Sequence, residues 1–432
     1  MTPLRRLRRR FGVLIGNIGA RVGALGCTFV ATLLLARNGG PSVVGTYALL
    51  HLLPALVGSL LSCGLPVSIP YFLAGPDRDD RRLPLTLVAM AMIGGAAGAG
   101  IWIAAAPFAG AQLFPKLSLT LLMLAGLAVL SRLITMTAKA CSQGSDDLSG
   151  SNRVIFTEEF MFLPAYALLW SAGVGGYAIV VGGLLLADTA ASSLAWGRLV
   201  RRGFFHQARR PSLQLARRIA SYGIRAQVGG VITQLNLRLD FILVNLITSP
   251  AVLGVYAIAS KFAELLRIPS LALTYVLYPK YARDGPGLAA AKVRAAMPKL
   301  GLLFAAVIVP LWLSAGFVIP AIYGSAFKSA VAPAQIILVG FVLTGIGGVI
   351  TAFMYGIGRP GLNSLGMAVG LVATIVLDIL LIPPFGAEGA AVASAVAYTT
   401  SALALIWFFL RAEAAEARSL LSVRPLPSAD PG

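Results

Sequence analysis

Long apolar stretches alternate along this chain with short polar breaks. Twelve of the stretches, near 11–36, 43–73, 85–109, 118–141, 154–172, 175–199, 218–247, 252–280, 299–321, 332–356, 361–382 and 387–410, supply the roughly 20 apolar residues that a membrane-crossing helix needs. The pattern predicts an all-α integral membrane protein with twelve transmembrane helices. The second, seventh and eighth segments are long for one crossing, which predicts tilt, a kink or extension past the membrane.

A short phrase is written twice in this pattern. "PSVVGTYA" runs from Pro41 to Ala48 and "PAVLGVYA" from Pro250 to Ala257, each opening a predicted helix after a short turn, and the same alignment pairs Pro70 with Pro279. A second echo follows in the same order, "GVGGYA" from Gly173 and "GAEGAA" from Gly386. Six helices separate the copies, an even number, so the two halves share one orientation. This predicts two six-helix lobes related by a parallel internal repeat, the plan of transporters that rock around a midplane site. The boundaries are an N-terminal lobe at 1–199, a basic connector at 200–217, a C-terminal lobe at 218–411 and a flexible tail at 412–432.

Composition agrees: 58% of residues are hydrophobic and 12% charged, and mean hydropathy is +0.84. The net charge of +19 is informative through its placement. With the N-terminus inside, one side collects the run Arg5–Arg10, Arg78, Arg81 and Arg82, the connector arginines, and Lys280 to Lys299. The other side receives only Arg37, Lys116 and Lys328. That asymmetry places both termini in the cytoplasm and the protein in the cell membrane. It makes anionic lipid, rather than nucleic acid, the partner of the basic surface. The opening "LRRLRRRFG" imitates a secretory signal, but the apolar run is too long, and it reads as a retained first helix. Cys27, Cys63 and Cys141 suggest no disulfide framework, and His51 and His206 lack the neighbours of a metal site.

Charges at membrane depth are costly and usually face protein or a wet cavity. Arg21, Arg132 and Asp188 lie within the first, fourth and sixth segments; Arg225, Arg238 and Asp240 lie in the seventh, and Lys261, Glu264 and Arg267 in the eighth. Basic residues outnumber acidic ones, which favours an anionic ligand, and the planar fork of arginine suits phosphate oxygens. Arg21, Arg132, Arg238, Lys261 and Arg267 are the substrate-binding candidates. Asp188, Asp240 and Glu264 are candidates for ion coupling, to protons or sodium, or for plain counter-ions. The competing possibility, local pairing between packed helices, stays open for every member of this set. Asp378 reads as an interfacial carboxylate near the outer end of its helix. No other cofactor is expected. GxxxG pairs such as Gly94 with Gly98 and Gly366 with Gly370 read as close contacts inside a lobe, so a monomer is expected.

"LLLARNGGPSVVGTYALL", "RLDFILVNLITSPAVLGVYAIASKFAELL", "IPAIYGSAFKSAVAPAQIILVG" and "LLIPPFGAEGAAVASAVAY" resemble the polysaccharide flippases of the multidrug, oligosaccharidyl-lipid and polysaccharide exporter superfamily. The resemblance implies a V-shaped protein with a central cavity. It also implies alternating access that moves a polyprenyl-pyrophosphate-linked oligosaccharide from the cytoplasmic to the external leaflet for cell-surface polysaccharide assembly, alongside other polysaccharide-assembly enzymes. Twelve helices suit this branch better than the fourteen of peptidoglycan-precursor flippases. A cation-coupled multidrug exporter of the same superfamily is the nearest alternative. A membrane enzyme acting on lipid-linked sugars is the alternative of another class, but it would need catalytic carboxylates or histidines on a sizeable external loop. Here Glu388 is the only acidic residue in the predicted external loops.

Overall fold

Glycine sets where the first and last helix pairs turn. In the computed structural model, α1 (Pro3–Leu61) carries Gly40 at φ 69°, ψ −171°, and α15 (Pro360–Ser422) carries Gly386 at φ 54°, ψ −125°. Both lie in the positive-φ region that only glycine enters without strain. The chain folds back at each. Thr28 and His51 touch the same carboxylate, that of Glu159, although 23 residues of straight helix would hold them about 34 Å apart. Likewise a methyl group on Gly366 would lie 2.8 Å from Leu405. Each of these two elements therefore contains two of the predicted helices.

The structure describes the backbone of residues 3–422, and within it all side chains except those of 3–15, 76, 267–268, 271–272, 275–276, 279 and 415–422. The segment predicted as a flexible tail continues α15 as far as Ser422, and residues 423–432 lie outside the described residues. Between the two folded helices run α2 (Leu65–Ala74), α3 (Leu83–Leu113), α4 (Leu119–Ala125), α5 (Leu127–Gly144), α6 (Leu148–Phe160), α7 (Phe162–Ser171) and α8 (Gly176–Arg201). They are followed by α9 (Leu213–Ile247), α10 (Pro250–Glu264), α11 (Arg267–Asp284), α12 (Pro286–Tyr323), α13 (Val331–Gly340) and α14 (Thr344–Gly356), with no strand among the described residues. Side-chain oxygens start three of them: Ser118, Asp147 and Ser212 accept from the backbone N–H of Leu121, Gly150 and Leu215.

Eight helical stretches among the described residues are long and apolar enough to cross a membrane, and the pair 325–340 and 344–356, bent by 44°, brings the number to nine when counted as one broken span. Two of the eight are the folded stretches within α1 and α15. The remaining predicted segment, the eighth, is interrupted between Glu264 and Arg267. The chain is a multi-pass membrane protein. The second predicted segment is also interrupted, where Cys63 (φ 49°) and Gly64 (φ 75°) enter the left-handed region. The seventh runs unbroken as α9.

The described chain divides into two compact units. Unit 1 comprises 1–234, 241–258 and 319–329, and unit 2 comprises 235–240, 259–318 and 330–432. In unit 1, α1 packs on α6 and α5 on α2, α3 and α8, and Leu65, Ile69, Leu83, Leu87 and Ile219 belong to one buried cluster. In unit 2, α11 packs on α14 and α14 on α15, around Val349, Ile350, Phe353 and Phe409.

Candidate functional site

Each compact unit holds one cluster of charged side chains inside otherwise apolar helices. In unit 1 the centre is Arg132 of α5. Its Nε donates to Asp188 Oδ2 of α8 at 3.0 Å and its Nη1 to the His51 carbonyl at 2.7 Å. Its Nη2 has no partner among the described residues. Behind this pair, His51 Nε2 lies 3.3 Å from Glu159 Oε1, and Thr28 Oγ1 donates to Glu159 Oε2 at 2.8 Å. The Tyr47 ring, fully buried, sits 5.7 Å from the His51 ring. About two turns beyond Arg132 along α5, Lys139 Nζ binds Glu158 Oε2 at 2.8 Å.

This cluster changes the charge balance expected from the sequence. Glu158 and Glu159 were visible as adjacent carboxylates inside the predicted 154–172 segment, and they were missed. With Asp188 they place three carboxylates near the two permanent cations Arg132 and Lys139. The excess of positive charge expected at depth is therefore absent around Arg132. Arg21 is exposed on α1, and its Nε donates to Asn17 Oδ1 at 3.0 Å, while Asn17 in turn donates to Asn152.

In unit 2, Arg238 of α9 forks to Glu264 of α10, Nη1 to Oε1 at 2.8 Å and Nη2 to Oε2 at 3.2 Å. Two residues further along α9, Asp240 is buried and accepts from Ser394 Oγ at 3.3 Å. Asn236, on the same face of α9 as Asp240, donates to the Met367 carbonyl at 2.7 Å. Lys261 lies about one helical turn before Glu264 on α10 and is half-buried. The Arg267 side chain lies outside the described residues.

Asp378 differs most from its sequence reading. It is fully buried, and neither carboxyl oxygen has a hydrogen-bond partner among the described residues. It also interacts electrostatically with Asp240. A buried carboxyl without partners is costly, so it is a place where a proton or a small cation would be stabilised. Its position near the predicted end of a helix had suggested an exposed interfacial group; the fold covers it instead.

Outside the spans, Asp147 caps α6 and binds two arginines. Its Oδ2 accepts from Arg198 Nε at 2.7 Å and its Oδ1 from Arg198 Nη2 at 3.0 Å, and Arg202 pairs with Oδ1 as well. Burial pushes this carboxyl up, but the Arg198 and Arg202 guanidinium groups and the Gly150 N–H outweigh it and hold it well below the usual carboxylate range. Among the described residues no cluster of three or more His, Cys, Asp or Glu side chains is arranged to hold a metal ion.

A family model described as "Polysaccharide biosynthesis protein" matches residues 34–332. No curated protein matches the chain. Solved structures share its fold. An inward-facing multidrug resistance MATE family transporter of the MOP superfamily is 15% identical, with 94% of this chain and 99% of that one covered at a TM-score of 0.76. The lipid II flippase MurJ in an inward closed conformation is 13% identical, with 98% and 94% covered at 0.71. A MOP superfamily transporter from Pyrococcus furiosus, described as having a binding pocket of reverse polarity, is 14% identical, with 94% and 96% covered at 0.64.

Proposed function

Because the chain belongs to the polysaccharide biosynthesis protein family and has the fold of MOP superfamily transporters, we propose that it is a flippase for a polyprenyl-pyrophosphate-linked oligosaccharide. It is a transporter and not an enzyme. In this reading the substrate passes from the cytoplasmic to the external leaflet of the cell membrane by alternating access between the two six-helix halves, for surface polysaccharide assembly.

The observation that carries the reading is the Arg132 centre. An arginine held rigidly by Asp188 and the His51 carbonyl, with Nη2 left over, presents a preorganised donor to a phosphate oxygen deep within apolar helices. Arg238, gripped in the same manner by Glu264, is its counterpart in unit 2. Arg21, Lys261 and Arg267 complete the substrate-binding set in this reading. Asp188 and Glu264 serve as counter-ions that hold the two arginines in place.

Coupling to a proton or sodium ion is assigned to Asp240 and Asp378. Two buried carboxyls, one bonded by a hydroxyl and one with no hydrogen-bond partner among the described residues, are each stabilised by a bound cation. A drug-cation exporter would use the same coupling but would not need Arg132.

The test is translocation in liposomes that contain the purified protein and a fluorescent polyprenyl-pyrophosphate oligosaccharide, scored by an impermeant sugar-binding probe, with a dye-cation efflux assay alongside. The expected result is protein-dependent sugar exposure that is lost in Arg132→Glu. Dye efflux without sugar movement would transfer the protein to the drug-exporter branch.

A further inference from the structure

A second arginine site lies in unit 1, at the end that carries the basic connector. There α2, the turn Pro76–Asp79 and the first turns of α9 border an open cleft of about 820 Å³. One stripe of α9 lines it, because Arg217, Arg218, Ser221, Tyr222 and Arg225 recur at the three- and four-residue spacing of a single helical face. The three arginines are engaged differently. Arg218 forks to both carboxylate oxygens of Asp77 at 3.2 and 3.0 Å, with its guanidinium 5.9 Å from the Phe72 ring centroid. Among the described residues Arg225 bonds only to its own helix, Nε to the Ser221 carbonyl at 2.9 Å and Nη2 to Ser221 Oγ at 2.8 Å. Arg217 has no hydrogen bond or ion pair among the described residues.

Asp77, the one carboxylate of the lining, is occupied by Arg218, so Arg217 and Arg225 leave the cavity with uncompensated positive charge. Beside them the rings of Tyr71 and Tyr222 stack at 4.4 Å with an interplanar angle of 13°. These rings are 52% and 37% exposed. Half-exposed stacked tyrosines beside two arginines that have no ion pair among the described residues combine a flat amphipathic surface with donors for phosphate oxygens.

We propose that this cavity is a docking site for the diphosphate of a lipid-linked sugar, separate from the buried Arg132 centre, with Arg217 and Arg225 holding the phosphate oxygens and the tyrosine pair flanking the adjoining group. The two arginines are eight residues apart, about 12 Å along the helix axis. Two long side chains reaching into the cleft from that spacing suit a diphosphate better than the single phosphodiester of an ordinary anionic phospholipid. The identity of the carrier lipid rests on the flippase reading; the diphosphate chemistry rests on the cavity.

The test uses the full-length protein in neutral phosphatidylcholine nanodiscs, with sugar-free polyprenyl diphosphate as the probe and inorganic pyrophosphate and phosphatidylglycerol as competitors. The expected result is binding that inorganic pyrophosphate competes away and that weakens about tenfold in Arg217→Gln/Arg225→Gln, a loss of two charge-assisted contacts. Arg218 is left intact to preserve its pair with Asp77. If the double variant does not fold, Arg217→Gln alone, at an exposed and unpaired position, should weaken binding about threefold. Affinity unchanged in folded variants, or phosphatidylglycerol displacing the probe as well as pyrophosphate does, would overturn the site. Translocation measured on the same samples separates the two readings. Binding through Arg217 and Arg225 in a wild type that moves no sugar keeps this site and removes the flippase. Sugar movement equal in wild type and double variant, with binding unchanged, does the reverse.

Discussion

Gly45 and Gly254 hold equivalent places in the two copies of the repeated phrase, and each lies against the carbonyl of the proline that opens the other copy. A methyl group on Gly45 would collide with Pro250 O, and one on Gly254 with Pro41 O. The phrase thus recurs where its two copies meet, reciprocally, backbone against backbone, and glycine is the residue that permits that approach.

Gly45→Ala and Gly254→Ala should each force the two helix openings apart and cost about 1–3 kcal/mol, the usual range for overpacking. The double variant should cost clearly less than the sum, since the first methyl already separates the pair. Thermal unfolding of the detergent-solubilised variants measures both; additive losses would show that the two glycines act independently.

Arg132→Gln should destabilise by about 3–5 kcal/mol, because it strands a buried carboxylate. Adding Asp188→Asn should restore part of that loss. A double-mutant cycle on unfolding midpoints reads the coupling, and a cycle that closes at zero would contradict the pairing.

Asp147 carries an acid-sensitive contribution to stability. Its carboxyl is depressed in the folded protein, so the stabilisation is present above the unfolded value near 4 and is lost as pH falls through the lower folded value. Wild type should lose stability on acidification below about pH 4. Asp147→Asn should begin about 1–3 kcal/mol less stable at pH 7 and lose less on acidification. Unfolding midpoints at pH 7 and below pH 4 decide it.

Asp378→Asn should leave stability within about 1 kcal/mol, since it replaces a group that already lacks partners. It should nevertheless flatten the dependence of transport on proton or sodium gradients. Transport that keeps its full gradient dependence would remove Asp378 from the coupling site.

Much of this architecture was legible in hydropathy. The segments, the opening of α10 at Pro250 and the interruption of the second and eighth helices follow from apolar length and from proline and glycine placement. The repeat led to Gly45 and Gly254 without locating their contact. What could not be read was azimuth, the side of each helix that faces which neighbour. His51, Thr28 and Glu159 sit on two predicted helix pairs far apart in the chain, and no periodicity within one helix announces that they share a carboxylate. The burial of Asp378 is of the same kind, because depth along a helix was readable and coverage by neighbouring helices was not. Asn236 and Asp240, four residues apart, share one face of α9, a relation readable from the sequence because it lies within a single helix.

The turns at Gly40 and Gly386 leave the helices they join almost no slack. Each pair must therefore behave as one rigid lever, in which a tilt of one arm is delivered undamped to the other. The interruptions at 62–64 and 265–266 are where the backbone can bend without breaking a continuous helical ladder.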